Sequence, residues 1–409
     1  MRLPPFRDIS GQHQRPARIA WVEPFLSPAG EEMSILDVMH RDVEVIHHLR
    51  QLGHHVVAFQ ASCATQAFEV QDRRGGVWRH HPIDEAVATM ASPPPSESLI
   101  ADVIDWQPDF ALVRGAATPL GRELTSAYDG PIGVVLGGRH KTSSLCEADL
   151  VLTEEPDQEA YLRRRIGRSR LLRLPKLPAP GFITEDVVPT RLRPYDVVVV
   201  SAFKPHKNHA ALRPLLELEL RVALIGDGPL RSQFEQSIRS CRANVHFTGN
   251  TSLDHVAHIV GNAKLLVHPS LSEGFPRAVA EAFALGTVPV VLKGVVGYPV
   301  QDGYNGVVTT EGELRTVVEQ LLDNAELTDA LSRQAMRTHQ ENFSQDALSA
   351  TCATLDARIR SLLDDREPMV ARARPSNRMR RSVWNATTRL APYARRLVSL
   401  ARARRTVGA

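Results

Sequence analysis

Glu273 and Glu281 stand eight residues apart in the string Pro269-Ser270-Leu271-Ser272-Glu273-Gly274-Phe275-Pro276-Arg277-Ala278-Val279-Ala280-Glu281-Ala282-Phe283-Ala284-Leu285-Gly286. A carboxylate accepts hydrogen bonds from vicinal hydroxyls, so two of them at this spacing suit two sugar rings. The string follows the apolar run Lys264 to His268, which reads as a buried strand. It therefore lies at the strand's carboxyl end, where open α/β sheets bind ligands. Pro276 fits the first position of a helix and Gly286 fits its stop. The amides of Gly274 and Phe275 at that helix start are free to donate to hydroxyls or phosphate, and the helix dipole favours an anion there. Diols and phosphate together describe a nucleotide sugar. A pair of glutamates alone is commonplace on solvated helix faces. The strand, the proline and the glycine that frame this pair give it weight.

The elements that must position these residues form two series. In the first, Arg18 to Val22, His55 to Phe59, Asp109 to Val113, Ile132 to Leu136 and Asp149 to Leu152 are short apolar runs of the kind buried in parallel sheets. A helical stretch from about Leu36 to Leu52 ends at Gly53. The segment Pro175 to Pro194, with Pro178, Pro180, Gly181 and Pro189 inside it, breaks the rhythm and reads as a linker. The second series has strands at Asp196 to Val200, Arg221 to Ile225, Asn244 to Thr248, Lys264 to His268 and Val288 to Leu292. One more amphipathic helix, Ser344 to Leu363, follows. The pattern predicts an α/β chain of two doubly wound, Rossmann-like domains.

Beyond the framed glutamates, four further strings occur in order: Lys207-Asn208, Ile225-Gly226-Asp227-Gly228-Pro229, Val245-His246-Phe247-Thr248-Gly249 and Asp302-Gly303-Tyr304-Asn305-Gly306. The set resembles the GT-B glycosyltransferases of family four, the group-one glycosyl transferases. That resemblance implies two domains facing across a cleft, an acceptor domain over 1–180 and a donor domain over 181–345 with a return helix over 346–365, and composition adds an Arg-rich tail over 366–409. It implies that Lys207 neutralises the donor pyrophosphate and that Gly226 and Gly228 let the backbone pass close to the nucleotide. The loop after Gly249 would meet the base, Glu273 the transferred sugar and Glu281 the ribose. Retention of anomeric configuration, without a metal or a resident cofactor, is also implied.

Several positions depart from the family pattern. An arginine usually stands five residues before the pyrophosphate lysine, where this chain has Ala202, and Lys204 is the substitute at hand. The Gly-Gly-x-Pro-Glu string expected after Leu292 reads Lys293-Gly294-Val295-Val296-Gly297-Tyr298-Pro299. In the first half, Leu136-Gly137-Gly138-Arg139-His140 stands where many members place a pocket histidine. Gly138 would allow close approach of donor phosphate, with Arg139 or His140 facing the cleft. Catalysis is thus expected from Glu273, Lys207 and His140. Arg114, at a strand end, is either a second cleft residue or a surface one. The departures also motivate a rival reading, a non-catalytic GT-B-like partner or scaffold.

Composition bounds the remaining classes. The 409 residues, 43% of them hydrophobic, are ample for two domains. Cys63, Cys146, Cys241 and Cys352 are scattered, without CxxC pairing, and read as reduced packing residues of a cytoplasmic protein. The polar, proline-bearing N-terminus has no signal-peptide core, and no apolar run approaches the ~18 residues of a membrane span. His47-His48 and His80-His81 lack partners at metal-ligand spacing and are expected on the surface. The whole chain carries +3, yet twelve arginines and one glutamate after residue 365 supply +11, which leaves the first 365 residues at −8. In the tail Tyr393, Leu397, Leu400 and Ala401 share one helical stripe, suited to an anionic membrane surface. Expected partners are a UDP- or GDP-sugar donor and a glycan or lipid-linked acceptor. Nucleic acid is not expected, since the arginines lack interleaved aromatics beyond Trp384 and Tyr393.

Overall fold

The computed structural model describes residues 15–27, 40–83, 96–115, 118–136, 148–183, 186–271, 273, 275–293 and 299–364. The basic tail lies outside them. Branched apolar runs become inner strands because they pack well on a pleated surface covered on both faces. The first domain comprises β1 (Arg18–Ser27), α1 (His40–Gln51), β2 (His55–Ser62), β3 (Phe68–Gln71), β4 (Val77–Pro82), α2 (Glu97–Asp105), β5 (Phe110–Arg114), α3 (Pro119–Ala127), β6 (Ile132–Val135), β7 (Leu150–Thr153), α4 (Pro156–Ile166) and β8 (Leu171–Arg173). Its strands run in the order β3-β4-β2-β1-β5-β6-β7-β8, and only the β3 and β4 pair is antiparallel. Local chemistry sets the helix ends. Ser96 accepts from the Leu99 amide to start α2, Thr118 caps α3 ahead of Pro119, and Gly53, at φ +93°, stops α1.

Strand β4 overturns one expectation. His80 and His81 are not on the surface but 5% and 6% exposed. The strand was missed because arginine and histidines interrupt its apolar pattern, yet it is an inner strand between β2 and β3 with α2 packed over it. His80 stacks on Phe68 with ring centroids 4.5 Å apart, and His81 Nε2 donates to Asp102 at 3.1 Å. Burial, aided by the neighbouring His81, pushes the His80 pKa down to about 4.

The second domain comprises β9 (Tyr195–Val200), α5 (Arg213–Leu216), β10 (Arg221–Ile225), α6 (Arg231–Ser237), β11 (Asn244–Gly249), α7 (Leu253–Gly261), β12 (Ala263–His268), α8 (Arg277–Ala284), β13 (Val288–Leu292), β14 (Val307–Thr309), α9 (Leu314–Asp323) and α10 (Ala325–Asn342). Its sheet is parallel, in the order β11-β10-β9-β12-β13-β14. Core membership changes along the linker: Leu174 and Leu177 pack with the first domain, Ala179 and Phe182 with the second. Arg193, 1% exposed, fixes the second domain's first strand in place. Its guanidinium donates to the carbonyls of Val188, Ala263 and Leu285 and to the Thr287 hydroxyl.

The last described helix, α11 (Gln345–Asp364), follows the second domain but packs on the first. Leu348, Cys352, Leu355 and Ile359 lie on one helical stripe and join Trp21, Trp78 and Phe110 in a single core. His54 clamps the contact: Nδ1 accepts the Ala17 amide at 3.2 Å while Nε2 donates to Asp356 at 2.6 Å. Replacing Leu355 by Ala should therefore destabilise the first domain, although the residue lies far along the chain. The expected loss is about 2–5 kcal/mol, read from urea unfolding followed by tryptophan fluorescence.

Candidate functional site

In the second sheet the strand order reverses between β9 and β12, and the loops after these two strands meet there. The loop after β9 ends in a single helical turn, Pro205–Lys207, closed by Asn208 at φ +50°. The Leu271 amide donates to the His206 carbonyl at 2.7 Å and ties the two loops together. Across this junction Lys207 Nζ donates to Glu273 Oε1 at 2.5 Å. His268, the last residue of β12, donates from Nε2 to the same oxygen at 3.1 Å. Burial alone would raise the Glu273 pKa, but His268, Lys207 and Ser270 outweigh it and hold the carboxyl down at about 2.

Helix α8 starts at Arg277, with Pro276 as its cap, one position earlier than the sequence suggested for that proline. Gly286, at φ +64°, ends it as expected. Glu281 lies within this helix, 8% exposed, and burial raises its pKa against the opposing pull of Arg277 one turn earlier. The two carboxylates thus differ: Glu273 is held ionised by donors, Glu281 is disfavoured as an anion. Phe275 is buried, edge-on to Phe343 at 5.6 Å, with the Lys176 ammonium 5.3 Å from its ring centroid. Its side chain is a packing residue.

The glycines after β10 and β11 have a reason within the chain. Gly226 and Gly228 sit at φ +127° and +156°, and a Cβ on them would come within 2.3 Å of the Ser201 carbonyl oxygen and 2.7 Å of the Phe203 oxygen. The close approach is between the loops after β9 and β10 themselves. Gly249, at φ +68°, is bridged to Gly226, whose amide donates to its carbonyl at 3.0 Å. Lys204 is exposed at the start of the Lys207 turn.

Two functional candidates escaped the sequence reading. His268 was a visible signal, a polar residue closing the otherwise apolar run of β12. His209 was not. It is buried, stacked on Phe203 at 4.0 Å and bonded to Ser201 Oγ at 3.0 Å, and burial together with Lys207 lowers its pKa to about 4. Arg114 does lie at a strand end where the first sheet reverses its order, but its charge is already engaged. It donates to Asp42 at 2.5 Å and Glu154 at 3.3 Å, with Glu23 at 3.6 Å, while Lys176 pairs with Glu154 at 2.9 Å. Gly138, Arg139, His140 and Gly274 lie outside the described residues. Among the described residues no cluster of His, Cys, Asp and Glu is arranged to hold a metal ion.

Comparison with known proteins places this geometry. Residues 184–338 match the family model of the group 1 glycosyl transferases. The matched stretch spans most of the second domain. A glycosyltransferase of Methanocaldococcus jannaschii, named as uncharacterized, is 30% identical over 138 residues, 32% of this chain and 39% of that protein's length. Sucrose-phosphate synthase of Thermosynechococcus elongatus superposes with a TM-score of 0.64 at 16% identity, covering 84% of this chain and 99% of the other. HepE of Anabaena, solved with UDP and glucose, gives 0.60 at 16% identity, covering 83% of this chain and 100% of the other. At these identities the likeness is one of fold, and the fold is GT-B.

The two carboxylates should respond oppositely to pH. Glu273 has a depressed folded-state pKa, so its contribution to stability is complete above the usual carboxylate value of 4.5 and is lost as the pH falls through about 2. Glu281 has a raised one, so it costs stability as the pH rises above the usual carboxylate value of 4.5, and the cost is complete above its folded-state value. At pH 7 Glu273→Gln should cost about 1–3 kcal/mol and Glu281→Gln should raise stability. Thermal melts of both variants between pH 3 and 7 check the signs.

Proposed function

We propose that the chain is a retaining glycosyltransferase that moves a hexose-type sugar from a UDP- or GDP-sugar to a glycan or lipid-linked acceptor. The observation that carries this reading is the meeting of Lys207 and Glu273 at the strand-order reversal, with Glu281 on the helix that follows. The match of residues 184–338 to the group 1 family model supports it, as do the UDP and glucose held by a protein of the same fold. In the proposed reaction Lys207, helped by the exposed Lys204, meets the charge that grows on the departing nucleoside diphosphate. Glu273 accepts from hydroxyls of the transferred sugar and Glu281 from the ribose diol. Gly226, Gly228, Gly249 and the Phe275 amide line the nucleotide, and Gly138, Arg139 and His140 are assigned to the facing side. The proposal takes the nucleotide sugar as substrate and needs no resident cofactor or metal.

Screening UDP-, GDP- and ADP-sugars for thermal stabilisation and hydrolysis would identify the donor. Glu273→Ala should then lower turnover at least about 100-fold while the circular dichroism spectrum is kept. Near-normal turnover would refute the site, and a lack of response to every nucleotide sugar would favour a non-catalytic partner or scaffold.

Among the described residues no helix is long and apolar enough to cross a membrane. We assign the protein to the cytoplasmic side of a membrane, held by the twelve arginines of its tail against anionic lipid. The full chain should float with phosphatidylglycerol liposomes at low salt and a truncation after Asp365 should not. Equal flotation of the two would contradict the assignment.

A further inference from the structure

The Glu273 carboxylate is held through one oxygen by two donors of different kinds. Lys207 Nζ lies 2.5 Å and His268 Nε2 3.1 Å from Oε1. The first is a flexible ammonium on a four-carbon stem, carried by a single helical turn with its side chain 19% exposed. The second is an imidazole 4% exposed, fixed at the end of a strand with neighbours on both sides. Of the two, only the lysine is free to move. A diphosphate brought to Lys207 competes with Glu273 for its protons.

We propose that Lys207 changes partners when a nucleoside diphosphate binds, passing from Glu273 to the phosphates, and that His268 then holds the carboxylate alone. His268 is thus a positioning residue, acting through Glu273 rather than on the ligand. The rigid partner keeps the carboxylate aimed while the mobile one follows the charge. The inference rests on the reading above that Lys207 meets the donor diphosphate, and it makes an unexpected demand. Glu273 should oppose binding of a nucleoside diphosphate that carries no sugar.

Calorimetric titration of UDP, GDP and ADP into the full chain tests this. Glu273→Gln releases Lys207 and should tighten nucleoside diphosphate binding about three- to tenfold. Lys207→Ala should abolish that gain, so the Lys207→Ala/Glu273→Gln double variant binds as weakly as Lys207→Ala. His268→Ala leaves the carboxylate unsupported once Lys207 departs and should weaken binding several-fold, with His268→Gln restoring it. In the Glu273→Gln background His268→Ala should change nothing. Circular dichroism confirms folding for each variant, and the His268 pair decides the question should Glu273→Gln fail to fold. Unchanged or weaker binding by a folded Glu273→Gln, or a His268→Ala loss that persists without Glu273, would overturn the partner change. Wild-type protein that binds none of the three would overturn the donor site itself.

Discussion

Between β9 and β12 the second sheet reverses the direction in which the chain steps outward, so the loops after these neighbouring strands are led to opposite sides. The junction between them is where a ligand can reach the strand ends. Everything at the candidate site follows from that reversal. It brings Lys207 and Glu273, 66 residues apart in the chain, into contact. Because the strands are parallel and buried, their ends are stiff, and His268 inherits that stiffness. The glycines at 226 and 228 serve the same junction by letting the loop after β10 lie against the loop after β9.

The first domain meets the same topological situation with different chemistry. Its sheet reverses between β1 and β5, and there Arg114 is enclosed by Asp42, Glu23 and Glu154. Enclosure by three carboxylates keeps the guanidinium charged despite burial, and its pKa is raised. The same ionic group extends through Lys176 to the ring of Phe275, next but one to Glu273. A linker residue thus touches both domains, and α11 adds a second tie by returning from the second domain to the core of the first.

What the sequence made legible was what burial writes strongly. Arg221–Ile225 and Val288–Leu292 are strands with the very limits their apolar runs suggested, because parallel inner strands must be apolar on both faces. β4 was hidden by Arg79, His80 and His81, whose burial depends on a neighbouring strand and helix that no local pattern reveals. β8 and β14, three residues each, were too short to register, and β3 has no fully buried residue to mark it. At the site, the glutamate string led to the contact with Lys207, but the sequence alone assigned Lys207 wholly to a ligand and overlooked its hold on Glu273. His209 and the burial of Glu281 were illegible because both arise from tertiary packing. Gly226 and Gly228 were legible as glycines of a close approach, though the partner that the structure shows is the chain's own backbone.

In the proposed function the ends of β9, β10 and β12 form one nucleotide-sugar site. A crystal structure of the chain with the nucleotide sugar that stabilises it most tests this directly. Diphosphate density is expected within hydrogen-bond reach of Lys207, the ribose beside Glu281 and the sugar beside Glu273. A nucleotide seated elsewhere, with the Lys207 to Glu273 contact undisturbed, would contradict it.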